Sequence, residues 1–244
     1  MEMPEPIQRA ADLLRNAKRA LFLTSAGMSA DSNIPTFRDK EGYWQNFPPF
    51  KEKNLQAQDL ASPWAFRNEL THAWAFYEWR RQNANENKPH EGYEIINKWI
   101  KNLLEDAFIH TTNTDGYHLT SGCSADRILE VHGSMWRLQC LNVCSHRFWK
   151  EETVPLCNLD LKSMKASKYP TCPKCRGIAR PHILMFGDME YVGHPAQEAN
   201  FRNFVQKDID LVFLIGSSGA VPTNDYIALE LKNKGAKLIN INPD

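Results

Sequence analysis

The chain has 244 residues, enough for one large or two smaller domains around a sizeable core. Hydrophobic residues at 42% and charged residues at 24% are ordinary for a globular protein, and 29 basic side chains balance 29 acidic ones, which argues against a strongly electrostatic nucleic-acid or membrane partner. No apolar run approaches the roughly 18–20 residues of a membrane span, and the run at 21–23 is too short for a signal-peptide core, so a cytoplasmic location is expected.

Residues 5–18 predict an amphipathic helix with Ile7, Ala10, Ala11, Leu13 and Leu14 on one side. The apolar run 20–23 then predicts a buried parallel strand. A turn of small residues follows at 24–29, with a helix expected near Ala30. Such a turn lets backbone N–H groups approach a pyrophosphate, and Gly27 and Ala30 match two of the three small positions of the dinucleotide fingerprint, Ser25 standing at the first. The next residues, Ile34-Pro35-Thr36-Phe37-Arg38-Asp39, cannot continue a helix, because Pro35 holds Ile34 extended.

From Ser25 to Arg38 the chain resembles the NAD-binding signature of the sirtuins, the NAD-dependent protein-lysine deacylases. It keeps ten of the fourteen positions in Gly-Ala-Gly-Ile-Ser-Ala-Glu-Ser-Gly-Ile-Pro-Thr-Phe-Arg, with Ser25, Met28, Asp31 and Asn33 as the departures. The resemblance implies NAD contacts from Ser25, Ala26, Gly27, Asp31, Thr36, Phe37 and Arg38. A glycine-to-serine change at 25 is expected to restrict the turn.

Beyond Asp39 comes an aromatic, irregular stretch with Tyr43, Trp44, Phe47 and Phe50, then a helical region over 62–83 that opens on Ser62-Pro63 as N-cap and first turn. Its stripe of Trp64, Phe66, Trp74, Phe76, Tyr77 and Trp79 reads first as the core of a small helical module. Tyr77 and Arg80 lie three apart, on one helical face. Tyr-x-x-Arg in this region is similar to the motif of the bacterial desuccinylase/demalonylase-like sirtuins, in which phenol and guanidinium bind the acyl carboxylate. A planar guanidinium fork beside a phenolic donor suits that anion. A surface Arg beside a packed Tyr is the alternative, and Arg81 is the alternative register.

A polar linker over 83–90 precedes a predicted helix over 92–104 and a strand over 107–111. Polar residues at the carboxyl end of such a strand are where an open α/β sheet takes its ligand. Thr112-Asn113-Thr114-Asp115-Gly116-Tyr117-His118 resembles the sirtuin Gln-Asn-Ile-Asp-Gly-Leu-His segment, with Thr112 and Thr114 departing from it. That implies Asn113 at the nicotinamide ribose, Asp115 at the carboxamide and a cofactor contact from Thr112; otherwise Asp-Gly is simply a turn. Residues 128–134 predict a short strand carrying His132. Alone it reads as a structural histidine, but Val131-His132-Gly133-Ser134 resembles the sirtuin His-Gly motif, which makes His132 the general base, with an unperturbed pKa near 6.5 suited to that work.

Cys140 and Cys144, then Cys172 and Cys175, form two close pairs 27 residues apart, the pattern of a closed structural Zn²⁺ site. His146 competes as fourth ligand, Cys157 reads as a spectator, and a poorly ordered lysine-rich loop is expected near 150–169. Arg180-Pro181 through Phe186-Gly187-Asp188 is similar to the sirtuin segment that pairs with substrate peptide, implying substrate contacts at Phe186 and Gly187, Asp188 standing for Glu. A helix is predicted over 195–207. A hydrophobic strand over 210–215 runs into Gly216-Ser217-Ser218, which resembles the family's Gly-Thr-Ser cofactor turn. A helix over 225–234 and a last strand follow, with Asn242 where the family places a ribose contact. Sirtuins typically continue beyond this point with an adenine-contacting loop, so an end at Asp244 predicts looser NAD binding.

The expected fold is α/β: a Rossmann-like parallel-sheet NAD domain (1–39, 84–135 and 183–244) with an inserted helical module (40–83) and a four-cysteine zinc module (136–182). The implied reaction removes acetyl, and succinyl or malonyl, groups from protein lysines, giving nicotinamide, O-acyl-ADP-ribose and free lysine. The alternatives are an NAD glycohydrolase or ADP-ribosyltransferase, a non-catalytic NAD- or acyl-lysine-binding module, and, more distantly, a zinc-ribbon nucleic-acid binder.

Overall fold

The computed structural model describes residues 3–36, 43, 45 and 47–243. Five parallel strands form the main sheet: β1 (Arg19–Thr24), β2 (Asp106–Thr111), β3 (Ile128–Glu130), β9 (Leu211–Ile215) and β10 (Lys237–Ile241), in the order β10-β9-β1-β2-β3. Strand β1 sits between β2 and β9, so the chain order reverses there, the switch point at which open parallel sheets bind ligands.

The period of two along β1 divides two cores. Ala20 and Phe22 join Leu14 of helix α1 (Glu5–Asn16), Tyr93 and Ile96 of α7 (Glu91–Asn102), and Phe213. Leu21 and Leu23 face the other way, onto Phe204 of α9 (Pro195–Val205) and Leu231 of α10 (Thr223–Asn233). Each large apolar side chain so buried contributes about 1.5–3 kcal/mol, which is why a strand without one polar residue between 20 and 23 is stable only inside a sheet covered on both faces.

A third core joins both inserts. The expected helical region over 62–83 consists of two helices, α5 (Pro63–Asn68) and α6 (Leu70–Glu86), because Glu69 leaves helical geometry at φ −128° and ψ 39°. Ser62 caps the first as its sequence predicts, accepting from Ala65 N at 3.2 Å. Trp74, Phe76 and Tyr77 of α6 pack with Phe47, Phe50, Leu138, Met164 and Ala166, so the helical and cysteine-bearing segments share one interior. The region near 150–169 is not an irregular loop. It carries β5 (Phe148–Lys150), paired antiparallel with β4 (Gly133–Cys140), and a hairpin of β6 (Asn158–Asp160) and β7 (Lys165–Ser167). β4 also pairs with β8 (Ala179–Ile183).

Two charged side chains of α6 hold that region, and both are 0% exposed. Arg81 donates to the carbonyls of Met135, Glu151 and Thr153 and lies 4.9 Å from the Trp136 ring centre. Glu78 accepts from Leu156 N and Cys157 N. Backbone groups of an irregular segment that no sheet ladder satisfies are thereby paired. Among the described residues no helix is long and apolar enough to cross a membrane.

Replacing Arg81 with Met keeps the packed stem but orphans three carbonyls, and should cost about 3 kcal/mol in urea unfolding. A loss below the error of the unfolding curve would show that the guanidinium is dispensable to this core.

Candidate active site

The carboxyl ends of β1, β2 and β9 release three turns toward one cleft. After β1 the helix begins at once, α2 (Ala26–Ala30), rather than at Ala30. Ser25 is extended at φ −131° and ψ −176°, a conformation open to any residue, so serine does not restrict the turn in the way expected. Glycine is required two residues on. Gly27 N donates to Gly216 O at 3.0 Å, and a Cβ on Gly27 would sit 2.7 Å from Gly216 Cα. Gly216 itself has φ +67°, and its Cβ would meet Met28 N at 2.3 Å. Two backbones touch here, and no side chain fits between them.

Two joined lobes open above this contact. One, of about 350 Å³, has Tyr77, Asp115, Met135 and Ile183 in its wall; the other, of about 360 Å³, has Ser25, Gly216, Ser217 and Ser218. Ala26, Thr36, Arg80, Thr112, Asn113, His132 and Phe186 border both. Thus residues as far apart in sequence as Ser25 and Ser218 share one cavity. Gly27, Asp31, Gly187 and Asn242 do not line it. Asp31 is exposed at the end of α2, and Asn242 donates to Ser217 O, holding the turn from behind. Phe37 and Arg38, like Trp44, lie outside the described residues.

Buried hydrogen bonds orient the polar wall. Asn113 donates both amide protons, to Ser25 O and Ser29 Oγ, each at 3.0 Å, which turns its Oδ1 away from those partners. Ser29 Oγ donates to Asp115 Oδ2 at 2.7 Å and is 2.9 Å from the Tyr93 hydroxyl; since the Ser29 proton goes to the carboxylate, Tyr93 is the donor in that pair. Tyr117 N donates to Asp115 Oδ1 at 2.9 Å. Burial raises the Asp115 pKa, while Ser29, Tyr117 N–H and the Arg80 charge hold it back. Ser29, a matching position of the signature to which no role was assigned, and Tyr93, which lies outside every motif, are therefore part of the wall's scaffold. His118, despite its place in the motif, is a packed residue: burial and His90 hold it down to about 3, and its Nε2 is 2.9 Å from Thr24 Oγ1.

His132 occupies the two-residue turn between β3 and β4, not a strand. Burial lowers its pKa below 6.5, with a hydrogen bond to the Thr112 backbone opposing, so the imidazole is neutral at pH 7. A neutral imidazole in the cavity wall can act as a base.

Tyr77 and Arg80 meet at the side of the cavity, and the register puts Arg81 in the core behind them. The Arg80 guanidinium lies 5.4 Å from the centres of the Tyr77 and Phe76 rings and donates to Thr114 Oγ1 at 3.3 Å. Burial pulls it down from its ordinary value, with Tyr77 and Asp115 pulling the other way. The Tyr77 hydroxyl is buried without a hydrogen bond to a described residue, and burial raises its pKa against the pull of Arg80. Beside them, Arg180 and Asp188 form a fully buried two-pronged pair at 2.7 and 3.0 Å, and Asp188 also accepts from Glu190 N. That pair fixes the turn from which Phe186 N donates to Ala61 O at 2.9 Å, tying the two sides of the cavity together.

The four cysteines form a separate cluster. All four Sγ atoms lie within 4.8 Å of one another, with Cys140–Cys175 at 3.6 Å and Cys144–Cys172 at 3.5 Å. Tetrahedral Zn²⁺ with thiolates at roughly 2.3 Å spaces its sulfurs by about 3.8 Å, so the set fits the ion. His146 is not in the cluster, and Cys157 is buried in the shared core.

Residues 25–223 match the Sir2 family model. The chain is 34% identical over 240 residues to an NAD-dependent protein deacylase of Aeropyrum pernix, covering 98% of this chain and 87% of that protein. It is 32% identical over 243 residues to one of Thermus thermophilus, covering 98% and 85%. A crystal structure of a Sir2 homologue in complex with NAD superposes with a TM-score of 0.78 at 26% identity, over 97% of this chain and 82% of that one. A mutant Sir2 homologue in complex with ADP-ribose gives 0.75 at 26% identity, over 99% and 86%.

One zinc per chain is expected by atomic absorption. Cys172→Ala should lose it and lower the melting temperature by at least roughly 5 °C, whereas Cys157→Ser and His146→Ala should retain it.

Proposed function

The chain belongs to the Sir2 family and is an NAD-dependent protein-lysine deacylase with a structural zinc site, and from that premise we propose that it removes acidic acyl groups, succinyl or malonyl, as well as acetyl. The observation that carries the finer reading is the Tyr77–Arg80 pair. A buried phenol beside a buried guanidinium, its hydroxyl without a hydrogen bond of good geometry, is costly unless an anion completes the pair. An acyl chain ending in a carboxylate does so, with two prongs on Arg80 and one hydrogen bond from Tyr77. A methyl group fits the same space but leaves both polar groups as they are.

NAD, when bound, supplies an electrophilic ribose carbon and a nicotinamide leaving group. The crevice at the β1/β9 switch point fits it, since the Gly27–Gly216 contact clears backbone for a close-lying ligand. Ser25, Ala26, Thr36, Thr112, Gly216, Ser217 and Ser218 would hold it there. Asn113 Oδ1 and the Asp115 carboxylate orient its nicotinamide half, each fixed from behind by Ser29. The neutral His132 takes a proton from a ribose hydroxyl held against its ring. The segment carrying Leu184 and Phe186 positions the acyl-lysine and helps exclude water from the junction of the two lobes, where proximity does most of the work.

With one peptide carrying acetyl- or succinyl-lysine, wild type should favour succinyl in kcat/KM. Arg80→Met should lower the succinyl value roughly 100-fold and leave acetyl within a few-fold. Equal NAD consumption with and without acylated peptide would replace deacylation by glycohydrolysis. The profile of kcat/KM against pH should rise through a single inflection below 6.5 and stay flat to pH 8, because the active form of His132 is neutral and burial favours that form. An inflection above 6.5 would count against His132 as the base.

A further inference from the structure

We infer that Asn224 and His110, two buried side chains outside every sequence motif, direct the Ser25 hydroxyl so that it donates to the anionic diphosphate of the bound dinucleotide. The inference rests on NAD as the ligand of this cavity.

Asn224 is the second residue of α10 and is 0% exposed. Its Nδ2 lies 2.9 Å from Thr24 O and 3.0 Å from Ser25 Oγ. A carbonyl only accepts, so the amide nitrogen is on that side and Oδ1 faces His110, whose Nδ1 is 2.8 Å away and must carry a proton. Burial holds His110 down to about 4, so near neutral pH it has one proton, and that proton is at Nδ1. The amide cannot then turn over without setting oxygen against oxygen at Thr24 and nitrogen against N–H at His110.

Ser25 Oγ accepts from Asn224 and, at 3.3 Å, from Thr112 Oγ1. Thr112 has one hydroxyl proton, shared between Ser25 Oγ and Thr24 O at 3.4 Å, so Asn224 is the fixed donor to Ser25 Oγ, and no hydrogen bond among the described residues has the Ser25 hydroxyl as its donor. The open side is the lobe walled by Ser25, Thr112, Gly216 and Ser217 at the β1/β9 switch point, where a parallel sheet takes the anionic part of its ligand. The neighbouring hydroxyl does not compete, because Ser217 Oγ donates to Asp225 Oδ2 at 2.7 Å. Ser25 and Thr112 stand where the family pattern has glycine and glutamine. The two departures touch each other and form one device together with Asn224.

Calorimetric titration of the zinc-loaded protein with ADP-ribose tests this without turnover. Ser25→Ala, neutral to the backbone at φ −131°, should weaken ADP-ribose roughly tenfold, the size of a hydrogen bond to a charged group. Asn224→Asp removes the donor, draws the Ser25 proton to itself and should cost a similar factor. His110→Phe, which removes the partner of the amide oxygen, should cost roughly threefold and serves if Asn224→Asp folds poorly. The His110→Phe loss should vanish in the Ser25→Ala background, where Asn224→Asp retains only the repulsion between its added carboxylate and the diphosphate. Unchanged affinity in Ser25→Ala, tighter binding in Ser25→Gly, or a His110→Phe loss that persists in the Ser25→Ala background would each overturn the assignment. Absence of ADP-ribose binding by the wild type would overturn the NAD reading itself.

Discussion

The site depends on one contact between two main chains, Gly27 against Gly216. The hydrogen bond between them, 3.0 Å long, joins the turn after β1 to the turn after β9, and neither residue has room for a Cβ. Parallel strands cannot place their turns this close by sheet pairing alone, since pairing ends at Thr24 and Ile215. The contact brings Ser25 and Ala26 beside Ser217 and Ser218, and Asn113 ties the turn after β2 to them through Ser25 O. Three strand ends thereby become one surface, built of backbone and small side chains, over which a ligand can lie.

Helix α6 divides its residues between that surface and the core by the helical period alone. Tyr77 and Arg80 face the cavity, while Glu78 and Arg81, one position on, face the cysteine-bearing segment. Both pairs place polar groups where desolvation is costly, and the solutions differ. Arg81 and Glu78 satisfy and are satisfied by backbone groups, so they specify structure. The Tyr77 hydroxyl has no such partner, and this asymmetry between adjacent pairs marks it as facing a ligand.

Burial also sorts the titratable groups. It keeps His132, His110 and His118 neutral, yet only His132 borders the cavity. It raises Asp115, while Ser29, Tyr117 and Arg80 oppose that rise. Much of the polar wall therefore acts by holding other groups rather than by touching substrate.

The sequence by itself determined the strands of the parallel sheet, the order of the motifs, the thiolate set and the family, because those signals are local: an apolar run, a proline after a turn, two cysteines a few residues apart. Ser62 as a cap and Gly216 at a strand end were legible for the same reason. Helix ends and the break at Glu69 were not, since they turn on a few tenths of a kcal/mol of local preference that packing overrides. The hairpin within 150–169 was hidden by its polar composition; its order comes from Glu78 and Arg81, about 70 residues away. Only the tertiary structure could choose Arg80 over Arg81, give Ser25 an unstrained extended backbone, or bring Asn224 to Ser25 across 199 positions. A hydrogen bond between distant residues has no period and no spacing to be read, and it exists only once the sheet has brought its strand ends together.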